Sequence, residues 1–444
     1  MNTVDIDKGR QIILDGYGSQ ARNYYESTVA SLLNFKYNNP GRVKLGIDVL
    51  ADMEPVSGAK YGLFTNAPSR AANEEHNFQL LIEAGYDIPI IFAPEHGFES
   101  NLAEGLDDGN KKDNVLNLLN SNGVVTKQFP IISASAIDSG AQATIENAIT
   151  NNQLNYIIYD LQSVGSRHYT YIADLGNVLS ACKRKGIRCI VCDRHNMLSP
   201  AVQQGNSDVS NTTYNVWKYA IPIRHGATIG YLAEHVLSRN GADLQVVKLE
   251  NYHDSMYWDD TNIWNGNFYS PSPNIPSFDS ALLYPGTCLF EGINMQEGRG
   301  VYINSEYIPE YIPFQIVGYP KSFFTIGEVL NAINAAEHTQ FTAGASFTAV
   351  QSYTPVPYGG GDDEEPKEPT FNGEVCSGIR ITITDKTLIN PIHVALVVMF
   401  SFRDVLQSDF VVKSNKWINT LWGSDTLMTA LNNNTSAVTF INSL

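Results

Sequence analysis

Short apolar runs alternate with segments of helical spacing along the first part of the chain. Six runs have the length and apolar content of buried strands: YGLFTN (61–66), IPIIFA (88–93), PIISAS (130–135), NYIIYD (155–160), RCIVCD (188–193) and LQVVKLE (244–250). Between them apolar residues recur at helical spacing, as at Phe78, Leu81 and Ile82 before Gly85, and again over 141–151 and 171–184. This alternation predicts an α/β domain built on a parallel sheet with helices on both faces.

The pattern changes after a segment rich in proline and serine, YSPSPNIPSF (269–278), which we interpret as a domain junction. Beyond it, helices predicted over 324–336, 391–406 and 424–432 mix with the strands SFTAVQSY and GIRITITD. This mixture indicates a smaller α+β domain. The first 40 residues contain a possible amphipathic helix near 19–34. The predicted organisation is therefore a helical extension (1–40), an α/β domain (41–270) and an α+β C-terminal domain (271–444).

Two helix ends can be assigned from single residues. Thr228 precedes the helix that carries Leu232 and Val236, and threonine is a favoured N-cap residue. Gly186 follows three basic residues at 183–185, which is typical of a helix C-terminus.

Charge and termini narrow the possible partners. The 444 residues carry a formal net charge of −17, so nucleic acid and anionic membrane surfaces are not expected partners. The N-terminus lacks the pattern of a secretory signal, which predicts a cytoplasmic protein or one exported by a non-classical route. The apolar run at 393–402 is too short to span a bilayer and is predicted to be a buried helix.

The five cysteines do not indicate a redox or zinc site. Cys189 and Cys192 have C-x-x-C spacing, but they lie in a predicted strand and should point to opposite faces. No second pair completes a ligand set, so buried thiols are expected.

Polar residues follow successive strands, at the edge where ligands bind in open parallel sheets. The strand ends and the loops after them contribute Asn66, Glu95, His96, Asp160, Gln162, Arg167, His168, Tyr169, Tyr171, Asp193, Arg194, Asn196, Arg224 and His225. Helix caps explain isolated polar residues of this kind. A series at five strand ends favours a functional site.

Several chemistries lack their sequence signatures. The chain has no G-x-G-x-x-G, no G-x-x-x-x-G-K-[ST] and no G-x-S-x-G, so dinucleotide, ATP and serine-hydrolase sites are not expected, and no cofactor is predicted. Four histidines and two aspartates could form a nitrogen and oxygen metal site: His96, His168, His195, His225, Asp160 and Asp193. None has the helical spacing of H-E-x-x-H, so no metal is predicted. The acidic segment 358–369 is expected to be a solvated loop.

Carboxylates combined with tyrosines and arginines suit glycoside hydrolysis, which needs a carboxylic acid to protonate the leaving oxygen. Glu95 directly follows an apolar strand, where partial burial would raise its pKa. The alternative is a structural glutamate paired with an arginine.

Longer motifs resemble those of a known family. APEHGF (93–98), IYDLQSVGSRHYTYI (158–172), IPIRHG (221–226), PSPNIP (271–276) and ALLYPGTCLFEGINMQEGRG (281–300) are similar to motifs of the NamZ-type exo-β-N-acetylmuramidases. The resemblance runs from about residue 45 to the C-terminus. It implies a Rossmann-like domain, a smaller C-terminal domain and a cleft between them. Family members remove terminal N-acetylmuramic acid from peptidoglycan fragments of the bacterial cell wall.

The resemblance also implies roles for individual residues. The glutamate of the Pro-Glu-His-Gly motif, proposed as catalytic in the family, corresponds to Glu95. Other motif positions correspond to Asp160 and Gln162, to Arg224, His225 and Gly226, and to Glu297 and Arg299. The chain departs from the family pattern at Ser163 and His168, in a permuted Ala-Glu-Gly element at 103–105, and after Gly300, where an arginine of the family is missing.

From these observations we expect a glycosidase acting on a peptidoglycan-derived saccharide or muropeptide. Glu95 would be the acid/base, and Asp160, Glu297 or the acetamido group of the substrate would supply the second function. The expected substrate-binding residues are Asn66, His96, Gln162, Arg167, Tyr169, Tyr171, Arg224, His225 and Arg299, with Arg224 or Arg299 holding the lactyl carboxylate. The alternatives are an inactive binding protein that keeps the pocket and a metal-dependent hydrolase.

Overall fold

The structure is a computed structural model that describes residues 43–99, 115–119, 125–210, 218–237, 241–304, 309–359 and 366–444. The predicted N-terminal helix near 19–34 and the element at 103–105 lie outside these residues, as does part of the acidic segment 358–369.

A seven-stranded sheet forms the centre of the described N-terminal half. Its strands are β1 (Lys60–Phe64), β2 (Asp87–Ala93), β3 (Val115–Leu119), β4 (Val125–Ser133), β5 (Tyr156–Tyr159), β6 (Arg188–Cys192) and β7 (Leu244–Val247). They are ordered β3-β4-β2-β1-β5-β6-β7, and every neighbouring pair is parallel except β3 with β4. The structure therefore confirms the predicted parallel sheet. The antiparallel edge strand β3 was not predicted.

Helices cover both faces of this sheet. They are α1 (Gly46–Ala51), α2 (Asn77–Glu83), α3 (Ala141–Asn152), α4 (Tyr171–Lys185) and α5 (Ile229–Leu232), which continues as a π-helical segment, Ala233–Leu237. Ile157 and Tyr159 pack in the apolar cluster of α3 and α4, whereas Ile158 packs in the cluster of α1 and α2. The alternation follows from the pleat of the strand, and it explains why the central strand β5 is apolar at every position.

Three predicted details of this half are confirmed. Cys189 and Cys192 are buried free thiols on opposite faces of the sheet. The Thr228 Oγ1 accepts a hydrogen bond from the Tyr231 amide at 3.2 Å, as an N-cap residue does. Gly186 has a φ of 66° at the C-terminus of α4, the left-handed conformation common at helix ends.

The C-terminal half mixes helices with antiparallel strands. Its elements are α6 (Phe278–Thr287), β8 (Tyr302–Asn304), β9 (Pro309–Tyr311), β10 (Ile316–Pro320), α7 (Ile326–Ile333), β11 (Ala345–Tyr353), β12 (Cys376–Ile383), α8 (Pro391–Leu406), α9 (Trp417–Trp422), α10 (Thr426–Asn432) and α11 (Ala437–Ile441). Three strands form an antiparallel sheet in the order β10-β12-β11, and β8 pairs with β9. The predicted α+β character is confirmed.

Helix α8 is the predicted buried helix. The Asn390 side chain accepts hydrogen bonds from the amides of Ile392 and His393, and Pro391 occupies the first turn, where its missing N–H is tolerated. All but three of its sixteen residues are buried. Among the described helices, none combines the length and apolar character that a bilayer-spanning segment needs.

One apolar cluster extends across the predicted junction at 269–278. It contains Tyr169 and Ile172 from the first half together with Ile275, Leu282 and Leu289 from the second. The two halves therefore share a core, and the division at residue 270 stays a prediction.

Candidate active site

A cleft with a volume of about 230 Å³ lies where the two halves meet. The first half contributes the turn after β2 and the loop after β5, and the second contributes segments around α6 and the loops that follow. The described residues that line it are Glu95, His96, His168, Tyr169, Thr170, Ser272, Asn274, Ile275, Tyr284, Cys288, Glu291, Arg299, Phe314, Lys367 and Trp417.

Glu95 reaches this cleft because the chain turns sharply at the end of β2. His96 and Gly97 both have positive φ, 71° and 70°, and the Gly97 amide donates to the Pro94 carbonyl at 3.2 Å. A positive φ is uncommon for a non-glycine residue, and such conformations cluster at functional sites. The turn leaves the Glu95 side chain only 8% exposed, on the wall of the cleft.

Two tyrosines beside Glu95 remain protonated donors. Burial raises the pKa of Tyr169 well above its usual range, and the neighbouring Tyr171 and Glu95 act in the same direction. Burial likewise raises the pKa of Tyr284, with smaller contributions from Cys288, Glu291 and Glu95. Both phenols therefore stay neutral at physiological pH beside the Glu95 carboxyl.

Asn66 and Tyr171, both predicted to bind substrate, take part in a network that holds the junction segment in place. The Tyr169 and Tyr171 hydroxyls donate to the Pro271 carbonyl at 2.8 and 3.1 Å. The Asn66 side-chain amide donates to the Tyr171 hydroxyl at 2.9 Å. Of these three residues only Tyr169 lines the cleft. The network fixes the segment that supplies Ser272 and Asn274 to the cleft wall.

Asp160 lies in a buried ion pair rather than on the cleft wall. Its two oxygens accept from Arg194 Nε and Nη2 at 2.6 and 2.7 Å, and the Asn77 side chain donates to Oδ2 at 2.6 Å. Asp160 is fully buried and Arg194 is 1% exposed. Each carboxylate oxygen is thus engaged by the fold itself.

Gln162 and His225 lie on the same side of the molecule as this ion pair. The Gln162 side-chain amide donates to the carbonyls of Ser163 and His195 at 3.0 and 2.9 Å. His195 and His225 line a second, small cavity of about 10 Å³, which has room for about one water molecule. Burial lowers the pKa of each imidazole to about 3, and Arg194 adds to the effect at His195. Both rings are therefore neutral.

The structure separates the three predicted arginines. Arg167 donates to the carbonyls of Asn206, Ile221 and Trp422 at 2.9, 2.8 and 3.0 Å. Arg224 donates to Gln204 Oε1 at 2.9 Å and to the Leu198 carbonyl. Arg167 and Arg224 are buried and bind their own chain, whereas Arg299 lines the cleft.

Glu297 and Arg299 form an ion pair at the edge of the cleft. Arg299 Nε donates to Glu297 Oε1, and Arg299 Nη2 lies 3.3 Å from Glu291 Oε1. Glu297 is 3% exposed and is not among the described lining residues, whereas Glu291 is. Glu297 thus holds the arginine, and Glu291 faces the cleft.

Several lining residues were not predicted from the sequence. Tyr284 and Glu291 lie inside the long motif at 281–300, which is the feature of the sequence that points to them. Lys367 and Trp417 had no signal, because they lie far along the chain from the other predicted site residues.

The candidate metal ligands do not converge. Asp160 is bound to Arg194, and the Asp193 carboxylate accepts from the Gly230 amide at 2.7 Å and the Thr228 hydroxyl at 3.0 Å. The His168 ring bonds to the Leu421 carbonyl at 2.9 Å, and burial lowers its pKa to about 3. Within the described ranges, no group of three or more histidine, cysteine or acidic side chains is arranged to hold a metal ion.

Comparison with known proteins gives consistent matches along the chain. The family model described as exo-β-N-acetylmuramidase NamZ, N-terminal, matches residues 61–279, and its C-terminal counterpart matches residues 282–444. The peptidoglycan β-N-acetylmuramidase NamZ of Bacillus subtilis (strain 168) is 29% identical over 417 residues, covering 90% of this chain and 87% of that protein.

Two crystal structures of DUF1343 family proteins from Bacteroides fragilis share the fold. Their TM-scores are 0.69 and 0.59, at 22% and 21% sequence identity. Each comparison covers 89% of this chain and 92% of the other.

Proposed function

Because the chain belongs to the NamZ family of exo-β-N-acetylmuramidases, which are glycoside hydrolases, we propose that it releases terminal β-linked N-acetylmuramic acid from peptidoglycan fragments. The observation that carries this proposal is the position of Glu95. It is a nearly buried carboxyl on the wall of a cleft that both halves of the chain line. Such a group suits the general acid that protonates a glycosidic oxygen.

Glu95 is the acid/base in this proposal, and Glu291 is the second carboxyl group. Both line the cleft, and they come from opposite halves of the chain. Asp160 and Glu297 suit this role less well, because neither is among the described residues that line the cleft. The acetamido group of the substrate is the alternative to Glu291, since some glycosidases use a substrate group in this role.

Exo action in this proposal follows from the family to which the chain belongs. The cleft of about 230 Å³ supplies surfaces for the terminal sugar unit. Tyr284, Phe314 and Trp417 supply apolar faces for a sugar ring. Asn274, whose Oδ1 accepts from the Tyr311 hydroxyl at 3.1 Å, supplies polar atoms.

A substrate panel tests the proposed function. The purified protein is assayed with aryl β-glycosides of N-acetylmuramic acid, N-acetylglucosamine and glucose. It is also given two oligosaccharides that carry N-acetylmuramic acid at the non-reducing end or only internally. We expect turnover of the muramic glycoside and release of the terminal sugar alone, unchanged by exhaustive chelation.

Three results would contradict this proposal. Binding of the muramic glycosides without turnover would identify a binding protein. Loss of activity on dialysis, restored by a divalent ion, would identify a metal-dependent hydrolase. Cleavage at internal positions would exclude exo action.

A further inference from the structure

Helix α9 carries a cleft residue at its start and contacts the first half of the chain at its end. Its first residue, Trp417, lines the cleft. The last carbonyls of a helix find no donor inside the helix. Here the loop after β5 supplies donors for them. Arg167 Nη2 donates to the Trp422 carbonyl at 3.0 Å, and His168 Nε2 donates to the Leu421 carbonyl at 2.9 Å. The first half of the chain thus holds the C-terminal end of a helix that belongs to the second half.

The Arg167 guanidinium is the centre of this contact. It is buried, and its Nη1 donates to the carbonyls of Asn206 and Ile221 at 2.9 and 2.8 Å. The Asn206 side chain adds a hydrogen bond to the Trp422 carbonyl at 2.8 Å. One planar side chain therefore joins α9 to two separate parts of the first half. The fixed fork of donors on a guanidinium suits such diverging acceptors, and a lysine ammonium does not reproduce it.

On another side, α9 packs against the segment that carries Glu291. This segment is a short 3₁₀ helix, Cys288–Gly292. A Cβ at Gly292 would lie 2.6 Å from the Cα of Ile418 and 2.7 Å from its amide nitrogen, so the two backbones are in close contact. The Lys413 amide, just before α9, donates to the Gly292 carbonyl at 3.1 Å. The position of α9 therefore limits the position of Glu291, which is adjacent to Gly292 and lines the cleft.

We propose that Arg167 is a positioning residue, which holds α9 against the loop after β5 and so sets the separation between Glu291 and Glu95. This role rests on the proposed function, in which these two groups are the pair of carboxyls. Glu95 follows β2 and Arg167 follows β5, and only β1 lies between these strands in the sheet. The sheet, Arg167 and α9 thus form a continuous connection between the two carboxyl groups. Their separation matters because glycoside hydrolysis depends on the distance between its two carboxyls.

Two substitutions disturb α9 at different contacts. R167K keeps the positive charge but replaces the fork of donors by a single ammonium group. G292A adds a methyl group that displaces the backbone of Ile418. Because a misplacement of about 1 Å costs up to about 10²-fold in rate, we expect each variant to lower kcat by roughly 10- to 100-fold. The measurement is steady-state kinetics with the aryl β-glycoside of N-acetylmuramic acid. The test uses kcat, because Trp417 moves with α9 and also changes KM.

Matched controls make the same changes away from α9. R184K replaces an exposed arginine on α4. G327A adds a methyl group on α7, where the nearest side-chain atom, Thr325 Cγ2, would lie 4.0 Å away. Neither position is among the described residues that line the cleft, so both controls should keep the wild-type kcat. If R167K does not fold, N206A takes its place, because it removes one hydrogen bond to the same carbonyl of α9 from a partly exposed side chain.

A double-mutant cycle with E291Q separates positioning from a general loss of stability. E291Q alone should lower kcat by roughly 10²-fold or more, as the loss of a catalytic carboxyl does. If Arg167 acts through Glu291, adding R167K to E291Q should leave kcat at the E291Q value, because the group that R167K misplaces no longer reacts. The same holds for G292A. The free energy of unfolding, in contrast, should fall by the same amount with either residue at position 291, so the two measurements report different properties.

The outcomes distinguish this role from the proposed function. A wild-type kcat in R167K or G292A would show that α9 does not set the geometry of the carboxyls. Equal losses of kcat with and without E291Q would make Arg167 a residue of general stability. A near-normal kcat in E291Q would leave no carboxyl to position, and hydrolysis with the acetamido group of the substrate would stand. In these three cases the proposed hydrolysis survives and the role of Arg167 does not. If the wild-type protein hydrolyses no muramic glycoside, both fail together.

Discussion

Two polar regions of this protein share the end of one parallel sheet but treat their charges differently. The cleft around Glu95 and Glu291 combines side chains from both halves and leaves them facing a space of about 230 Å³. The second region, which we call the strand-end cluster, consists of Asp160, Gln162, Arg194, His195 and His225. Its charges are buried in an ion pair, and its cavity has a volume of about 10 Å³. Polar residues at strand ends therefore do not by themselves mark a reaction site.

The difference lies in what satisfies each polar group. In the strand-end cluster, protein donors fill both oxygens of Asp160, and burial keeps His195 and His225 neutral. Such groups stabilise one arrangement of the loops after β5 and β6, which in turn hold Tyr169 and Thr170 on the cleft wall. Substitutions in the strand-end cluster are therefore expected to change the stability of the protein, and substitutions in the cleft are expected to change its turnover.

The largest expected effect is on turnover, from E95Q. Glutamine keeps the shape of the side chain but cannot supply a proton, so kcat should fall by roughly 10²–10⁴, the usual contribution of general acid–base catalysis. The unfolding midpoint in urea should change little. The measurement is steady-state kinetics with a substrate whose leaving group is poor.

E328Q is the control for E95Q, because Glu328 is exposed on α7 and lies outside the described cleft lining, so its kcat should stay at the wild-type value. A folded E95Q protein with a near-normal rate on the poor leaving group would remove Glu95 from the mechanism.

The next effect is on stability, from D160A. Removing this carboxylate leaves Arg194 buried without its ionic partner, and breaking a buried pair in this way destabilises proteins by roughly 3–5 kcal/mol. The free energy of unfolding should fall by that amount in urea titrations. At low temperature, the folded fraction should keep a kcat within a few-fold of the wild-type value.

D160N separates structure from chemistry more finely. Asparagine retains the shape of the side chain and part of its hydrogen bonding, so a D160N protein of nearly normal stability is the informative one. If such a protein lost 10² or more in kcat, an extent typical of a catalytic group, Asp160 would belong to the mechanism after all.

The sequence predicts the fold of this molecule more fully than it predicts the cleft. The apolar runs at 61–66, 155–160 and 188–193 give the strands of the parallel sheet, because burial on both faces requires apolar residues at every position. The edge strand β3 was missed. The resemblance at 93–98 located the Glu95 turn on the cleft wall, and the cleft itself depends on how two halves pack together.

Several side chains that were predicted to bind substrate form hydrogen bonds within the protein, because folding brings partners from distant parts of the chain to them. Asp160, Arg167 and Arg224 looked like ligand-binding groups because their types suit that role, but each is engaged by partners that are distant in sequence. Lys367 and Trp417 reach the cleft only through tertiary packing. Neither local spacing nor composition encodes such partners.

The smallest expected effect is a pH dependence of the free energy of unfolding that arises from the strand-end cluster. His225 has a pKa of about 3 in the folded protein because of burial, against an ordinary value near 6.5. Between these two values the unfolded chain binds a proton that the folded chain does not. The wild type should therefore lose stability as the pH falls below about 6.5, by at most about 1.4 kcal/mol per pH unit for this residue.

H225N isolates this contribution, because asparagine is polar but does not titrate. Measured in urea between pH 7.5 and 5, the difference in unfolding free energy between wild type and H225N should shift in favour of the variant as the pH falls. Asp193 acts in the opposite direction, since burial raises the pKa of its carboxyl to about 6, but it is present in both proteins and cancels in the difference. H235N is the control, because the His235 side chain is 56% exposed, whereas His225 is buried. A difference between wild type and H225N that stays constant with pH would mean that His225 accepts a proton in the folded state. The strand-end cluster would then accommodate a charged histidine in the folded protein, as the cleft accommodates charged side chains. The contrast between the two regions would be lost.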